Sequence, residues 1–123
     1  MDTKTVTEKR NYTFKEFNFA KTEIEHKEIS LKENLKTLNA ILSVIKKMKK
    51  TRYCFKYLKK NWNNDDYLEK GLAEVEVRLE DYLHLYEKTV LERKILKTQL
   101  KQAQRKFSKK QKSITRFYKK YYN

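Results

Sequence analysis

The sequence predicts an all-α protein, a long antiparallel helical hairpin of coiled-coil type, and three observations carry that prediction. The first is the absence of chain breakers: of 123 residues none is proline and one is glycine, Gly71, so little interrupts a helix once it has started. The second is an apolar seam that runs through 66–122. Its first core row reads Leu72, Leu79, Tyr86, Arg93, Leu100, Phe107, Ile114, Tyr121 and its second reads Leu68, Val75, Tyr82, Thr89, Leu96, Ala103, Lys110, Phe117. Alternating steps of three and four keep one side of a helix apolar and require a partner helix. Only Thr89, Arg93 and Lys110 break the seam. The third is a single turn-like cluster in the interior, Asn61-Trp62-Asn63-Asn64-Asp65-Asp66, where Asn and Asp allow the chain to reverse without glycine.

Composition favours a slender fold. Charged and hydrophobic residues each make up 38% of the chain, which leaves little apolar material for a deep core. At 1.5 Å per residue the second helix would run roughly 85 Å, too long for a compact globule.

From the N-terminus, residues 1–11 are polar and read as a flexible lead, with the hairpin domain occupying 12–123. Thr13 followed by Glu16 fits a capping box, and Tyr12 with Phe17 fits the accompanying hydrophobic staple, so the first helix is expected to start at Thr13. Ile24, Leu31, Leu35, Leu38, Leu42 and Ile45 continue it at core spacing. Met48, Phe55 and Trp62 extend the row of Ile41, which implies a stammer that rotates the stripe. A break at 51–53, giving three helices, is the alternative. The turn falls near 61–66, with Asp66 and Glu69 suited to the start of the second helix.

Charge tests the hairpin independently. Residues 1–33 hold seven cations and seven anions, and 34–64 hold nine cations and no anion. Residues 65–92 hold three cations against nine anions, and 93–123 hold twelve cations and no anion, within a net charge of +15. A reversal near residues 63 and 64 lays the cationic 34–64 block along the acidic 65–92 block, although individual exposed pairs contribute only about 0–1 kcal/mol. The same register brings Lys110 beside Glu16 and Arg93 near Asn34.

The apolar stripe is widest around 40–45 and 82–91, more than two facing helices can cover. A second copy making a four-helix arrangement, another partner, or the N-terminal Phe14, Phe17 and Phe19 would cover it. Ile41, Val44, Leu83, Leu85 and Val90 are the candidate partner-interface residues.

No catalytic constellation emerges. His26 and His84 are isolated, no metal-ligand spacing exists, and one glycine cannot build a phosphate-cradling loop. Neither an enzyme, a cofactor, a metal nor a small-molecule substrate is expected. Cys54 alone forms no internal disulfide, and the absence of a long apolar run argues against a membrane span, so a soluble cytoplasmic protein is expected. An anionic membrane surface is a weaker possibility for the basic arm.

That basic arm, residues 93–123, points to a polyanion. Arg105, Lys106, Lys109, Lys112, Arg116, Lys119 and Lys120, together with Tyr118 and Tyr122, are the candidate nucleic-acid-binding residues. Cations would neutralise phosphates without reading sequence, and the rings would stack on bases. The competing expectation is a protein-interaction module, an adaptor, inhibitor or subunit of an assembly, that uses the stripe around 82–91.

Overall fold

A computed structural model describes residues 3–62 and 66–121; the side chains of residues 3–7 and 11 are not described. Two helices, α1 (Thr3–Asn61) and α2 (Asp66–Tyr121), pack against each other as an antiparallel hairpin. All described residues except Trp62 are helical, and no strand occurs among them. α1 passes through residues 51–53 without a break, so there are two helices.

The turn falls where the Asn/Asp cluster predicts it. The Trp62 N–H donates to the Leu58 carbonyl at 2.8 Å, and Asn61 Nδ2 donates to the Tyr57 carbonyl at 2.9 Å. The first satisfies a carbonyl that the end of a helix leaves without an intrahelical partner, and the second ties the Asn61 side chain back onto the last turn. Lys59 and Lys60 lie in the last turn of α1, and Asp66 and Glu69 in the first turn of α2, each suiting the partial charge of its helix end. Residues 63–65 of the predicted turn lie outside the described residues.

The N-terminal boundary differs from the expectation. α1 is already helical at Thr3, ten residues before the predicted start. Thr13 is no cap: its hydroxyl donates back to the Lys9 carbonyl at 2.8 Å, the bond of a threonine inside a helix. Nothing in residues 3–12 can stop a helix, because neither Pro nor Gly occurs there.

The seam of α2 is realised in full. Each of its sixteen residues is buried or half-buried, and elsewhere on α2 only Gly71, Val90 and Gln99 are not exposed. α1 answers with two unbroken rows, Phe17, Ile24, Leu31, Leu38, Ile45, Arg52 and Ala20, Lys27, Asn34, Ile41, Met48, Phe55, all buried or half-buried. No stammer occurs. Leu35 and Leu42 stay exposed beside the seam, because Lys27 and Asn34 occupy the core positions that the neighbouring leucines seemed to claim, and Trp62, just past the end of α1, is exposed as well.

The hairpin comprises two compact units, Met1–Lys32 with Lys94–Asn123 and Glu33–Arg93. In the second unit Ile41, Ile45 and Leu79 form the buried centre, with Met48, Tyr82 and Tyr86 against it. Polar core residues there meet polar partners. Asn34, 8% exposed, donates through Nδ2 to the carbonyl of Thr89, itself 3% exposed, at 3.2 Å, while Asn34 Oδ1 has no partner. Near the turn the ring of Phe55 lies so close to Gly71 that a Cβ there would sit 2.7 Å from it. This contact accounts for the single glycine inside a helix.

In the first unit Phe17 packs on Phe107 with ring centroids 4.9 Å apart, and Phe117 packs on Tyr121 at 4.8 Å. Lys27 Nζ donates to Gln99 Oε1 at 2.9 Å. The two contacts between the helices, Phe17–Phe107 and Lys27–Gln99, follow the antiparallel register predicted from the turn to within about one helical turn.

Candidate functional site

Opposite the seam of α2, within the first unit, Lys101, Arg105, Lys109, Lys112, Arg116 and Lys119 follow one another at steps of four, four, three, four and three. That spacing puts them on one helix face, and every one is exposed. At 1.5 Å per residue the stripe offers roughly one cation per 5 Å of helix. Among the described residues none of the six has a carboxylate within ion-pair distance. Lys106 and Lys120 are also exposed but stand on a flank beside the seam, and the Lys120 ammonium lies 5.4 Å from the Tyr121 ring centroid.

The sequence contains 18 Lys and Arg against 6 Asp and Glu in the first unit, and 13 against 10 in the second. Twelve of the fifteen net positive charges therefore belong to the first unit. A field of one sign over one surface attracts polyanions and falls with ionic strength.

The aromatic residues behave differently from the cations. Tyr118 meets Phe14 edge-on at 5.9 Å, so its ring helps to close the hairpin and does not project as a free stacking platform. Tyr122 lies outside the described residues. In the first unit the most exposed rings described are on α1: Phe19 is 74% exposed, and Tyr12 stands exposed one heptad before it. With Ala20 and the stems of Lys15, Lys106 and Lys110 they line an open groove of about 410 Å³. Sequence reading missed Tyr12 and Phe19 as surface residues because one was assigned to a hydrophobic staple and the other to a cover for the core. The heptad interval between them, off the seam, was the available signal.

Beneath the groove Glu16 accepts from Lys110 Nζ at 2.6 Å and from the Tyr12 hydroxyl. The bond from Lys110, then that from Tyr12, holds the Glu16 carboxyl below the ordinary range. The bond to Glu16 and its negative charge push the Tyr12 phenol up. Glu16 therefore cancels the seam lysine of α2 and leaves the outer stripe uncompensated.

The candidate partner residues do not form one patch. Ile41 is 5% exposed and belongs to the core of the second unit, so it offers nothing to a partner. Leu83 and Val90 directly follow the second core row, whereas Val44 and Leu85 directly precede the first core row. In an antiparallel pair these are opposite flanks of the seam.

His26 and His84 are both exposed and far apart in sequence, and His84 Nε2 lies 3.7 Å from Glu80. Among the described residues no three His, Cys, Asp or Glu side chains gather in a metal-binding group. No helix among them is long and apolar enough to cross a membrane. The sequence matches no protein-family model, and comparison with curated proteins and with solved structures returned no match.

Proposed function

We propose that this chain is a non-enzymatic, basic helical hairpin that binds nucleic acid or another polyanion along α2 without strong sequence preference. The observation that carries the reading is the exposed row Lys101 to Lys119, set on a unit that holds most of the net charge. Cations gathered on one helix face can neutralise successive phosphates and gain free energy by releasing their counterions. Arg105 and Arg116 can also grip phosphate oxygens with paired donors. Because Tyr118 is engaged by Phe14, recognition rests on charge, with Phe19 as the ring best placed to meet an unpaired base. Phosphate contacts position a protein on nucleic acid and carry no sequence information. Exposed Cys54 suits a reducing cytoplasm.

The test is a titration of mixed-sequence single- and double-stranded DNA and RNA, with heparin as a non-nucleic polyanion and anionic vesicles as a further arm, over a range of salt. Binding that weakens linearly on a log–log plot and varies little between sequences supports the reading. Indifference to every nucleic acid at low salt overturns it. Binding to heparin alone would keep the stripe and exclude the nucleic acid.

A further inference from the structure

Two hydrophobic residues on each helix of the second unit stand outside the two core rows on the same flank of the hairpin, three of the four exposed. Leu35 and Leu42 follow the second core row of α1, and Leu83 and Val90 follow that of α2. In an antiparallel pair, corresponding positions emerge on one side, because reversing a helix reverses both its direction and the sense in which it turns. Phe14 and Tyr118 occupy the corresponding positions in the first unit and make ring contact there. Leu35, Leu42 and Leu83 are 42, 43 and 39% exposed, and Val90 is half-buried. They widen the seam from two rows to three, the pattern of a bundle helix, which has neighbours on more than one side.

The charges on this flank identify the occupant. Past Leu42 the same row of α1 continues as Lys49 and Lys56, and before Leu83 the same row of α2 holds Glu69 and Glu76. The flank is apolar toward one end and, toward the turn, cationic on one helix and acidic on the other. A copy related by a two-fold axis parallel to the helices lays α1 of one chain on α2 of the other. Leu35 then meets Val90, Leu42 meets Leu83, Lys49 meets Glu76 and Lys56 meets Glu69, and the symmetry repeats every contact. The surface is its own complement in shape class and in charge.

We propose that a second copy of this chain covers the flank of Leu35, Leu42, Leu83 and Val90, making an antiparallel four-helix bundle from the second units. This surface is separate from the cationic stripe, and the dimer forms without a polyanion.

The experiment is sedimentation of the nuclease-treated full chain from low to high micromolar concentration, with circular dichroism on every variant. The wild type should be dimeric, and Leu42→Lys with Leu83→Lys should be monomeric while remaining helical. The charge arm uses Lys49→Glu/Lys56→Glu and Glu69→Lys/Glu76→Lys. Each variant alone should dimerise at least tenfold more weakly than wild type, because like charges meet, and a mixture of the two should form the heterodimer. Adding Leu42→Lys to either member should abolish that heterodimer. A wild type that stays monomeric across the range overturns the proposal and leaves the flank to a different protein. So does a dimer that survives both leucine replacements, or a pair of helical charge variants that fail to associate when mixed.

Discussion

Lys110 of α2 and Glu16 of α1 meet at 2.6 Å in the seam of the first unit, and the Tyr12 hydroxyl donates to the same carboxylate. Glu16 titrates below its ordinary range, so its contribution is present above that range and is lost as pH falls through the lowered value. Tyr12 titrates above its ordinary range, so its contribution is present below the usual phenol value and is lost as pH rises through the raised one. Melting temperature followed from about pH 3 to 11 should therefore show a plateau with a fall at each end. Glu16→Gln should lower the plateau and flatten both flanks; unchanged flanks would show that these groups do not titrate with folding.

Asn34 places a carbonyl oxygen without a partner inside the second unit. A buried polar atom left unpaired costs about 1–3 kcal/mol, so Asn34→Leu should stabilise the hairpin by that order in urea denaturation. A polar core residue also fixes the register of a helix pair, and the leucine variant should show faster amide exchange along α1 despite its higher midpoint. A lower midpoint would mean that the bond to Thr89 outweighs the unpaired oxygen.

Gly71 and Phe55 form a sign test. Glycine inside a helix costs about 1 kcal/mol relative to alanine, whereas an overpacked site costs about 1–3 kcal/mol. With a Cβ 2.7 Å from the ring, Gly71→Ala should leave the wild-type background unchanged or destabilised by up to about 2 kcal/mol. In a Phe55→Ala background the same change should stabilise by about 1 kcal/mol. Equal effects in both backgrounds would remove the ring contact as the reason for the glycine.

Leu79 and Leu83 differ by one helical turn and should differ sharply in cost. Leu79 is enclosed by the Ile41 and Ile45 cluster, and Leu79→Ala should destabilise by about 2–5 kcal/mol. Under conditions where the chain is monomeric, Leu83→Ala should cost less than about 1 kcal/mol, because Leu83 lies outside the seam.

The two cationic stretches should separate in binding. Lys109, Lys112, Arg116 and Lys119 changed together to Gln should weaken nucleic-acid binding and reduce the log–log salt slope by about 3–4, at about 0.9 per lost phosphate contact on a duplex. The same change at Lys46, Lys49, Lys56 and Lys59 should move the slope little and lower the melting temperature more, since Lys59 already faces Glu69 at 3.5 Å. Equal slopes from both sets would spread binding over the whole surface.

How far the fold could be read from the sequence depended on where polar residues fell. On α2, Thr89, Arg93 and Lys110 interrupt the seam singly, so neighbouring heptads carry its phase across each gap. On α1, Lys27 and Asn34 occupy consecutive positions of one core row, and the leucines at 35 and 42 supply a false row one residue away. The apparent stammer came from that displacement. The helix start was misread because a Thr-x-x-Glu pattern caps a helix only when the backbone before it is not helical, which four residues do not determine. The cationic face could be read from spacing alone, since exposed lysines need no partner to define their direction. The groove of Tyr12 and Phe19 depends on how two helices meet, and the heptad interval between the two rings was its sole trace in the sequence.

The uneven division of charge makes ionic strength act in two directions. A folded first unit crowds like charges together, and that repulsion opposes its compact state. Added salt should therefore raise the melting temperature of the free protein while loosening its hold on a polyanion. A bound polyanion relieves the same repulsion and adds the mass-action stabilisation of any ligand selective for the folded form, about 2.7 kcal/mol at one hundred times its dissociation constant. Under the proposed function, the unit that holds the strand is therefore also the unit whose fold the strand stabilises most.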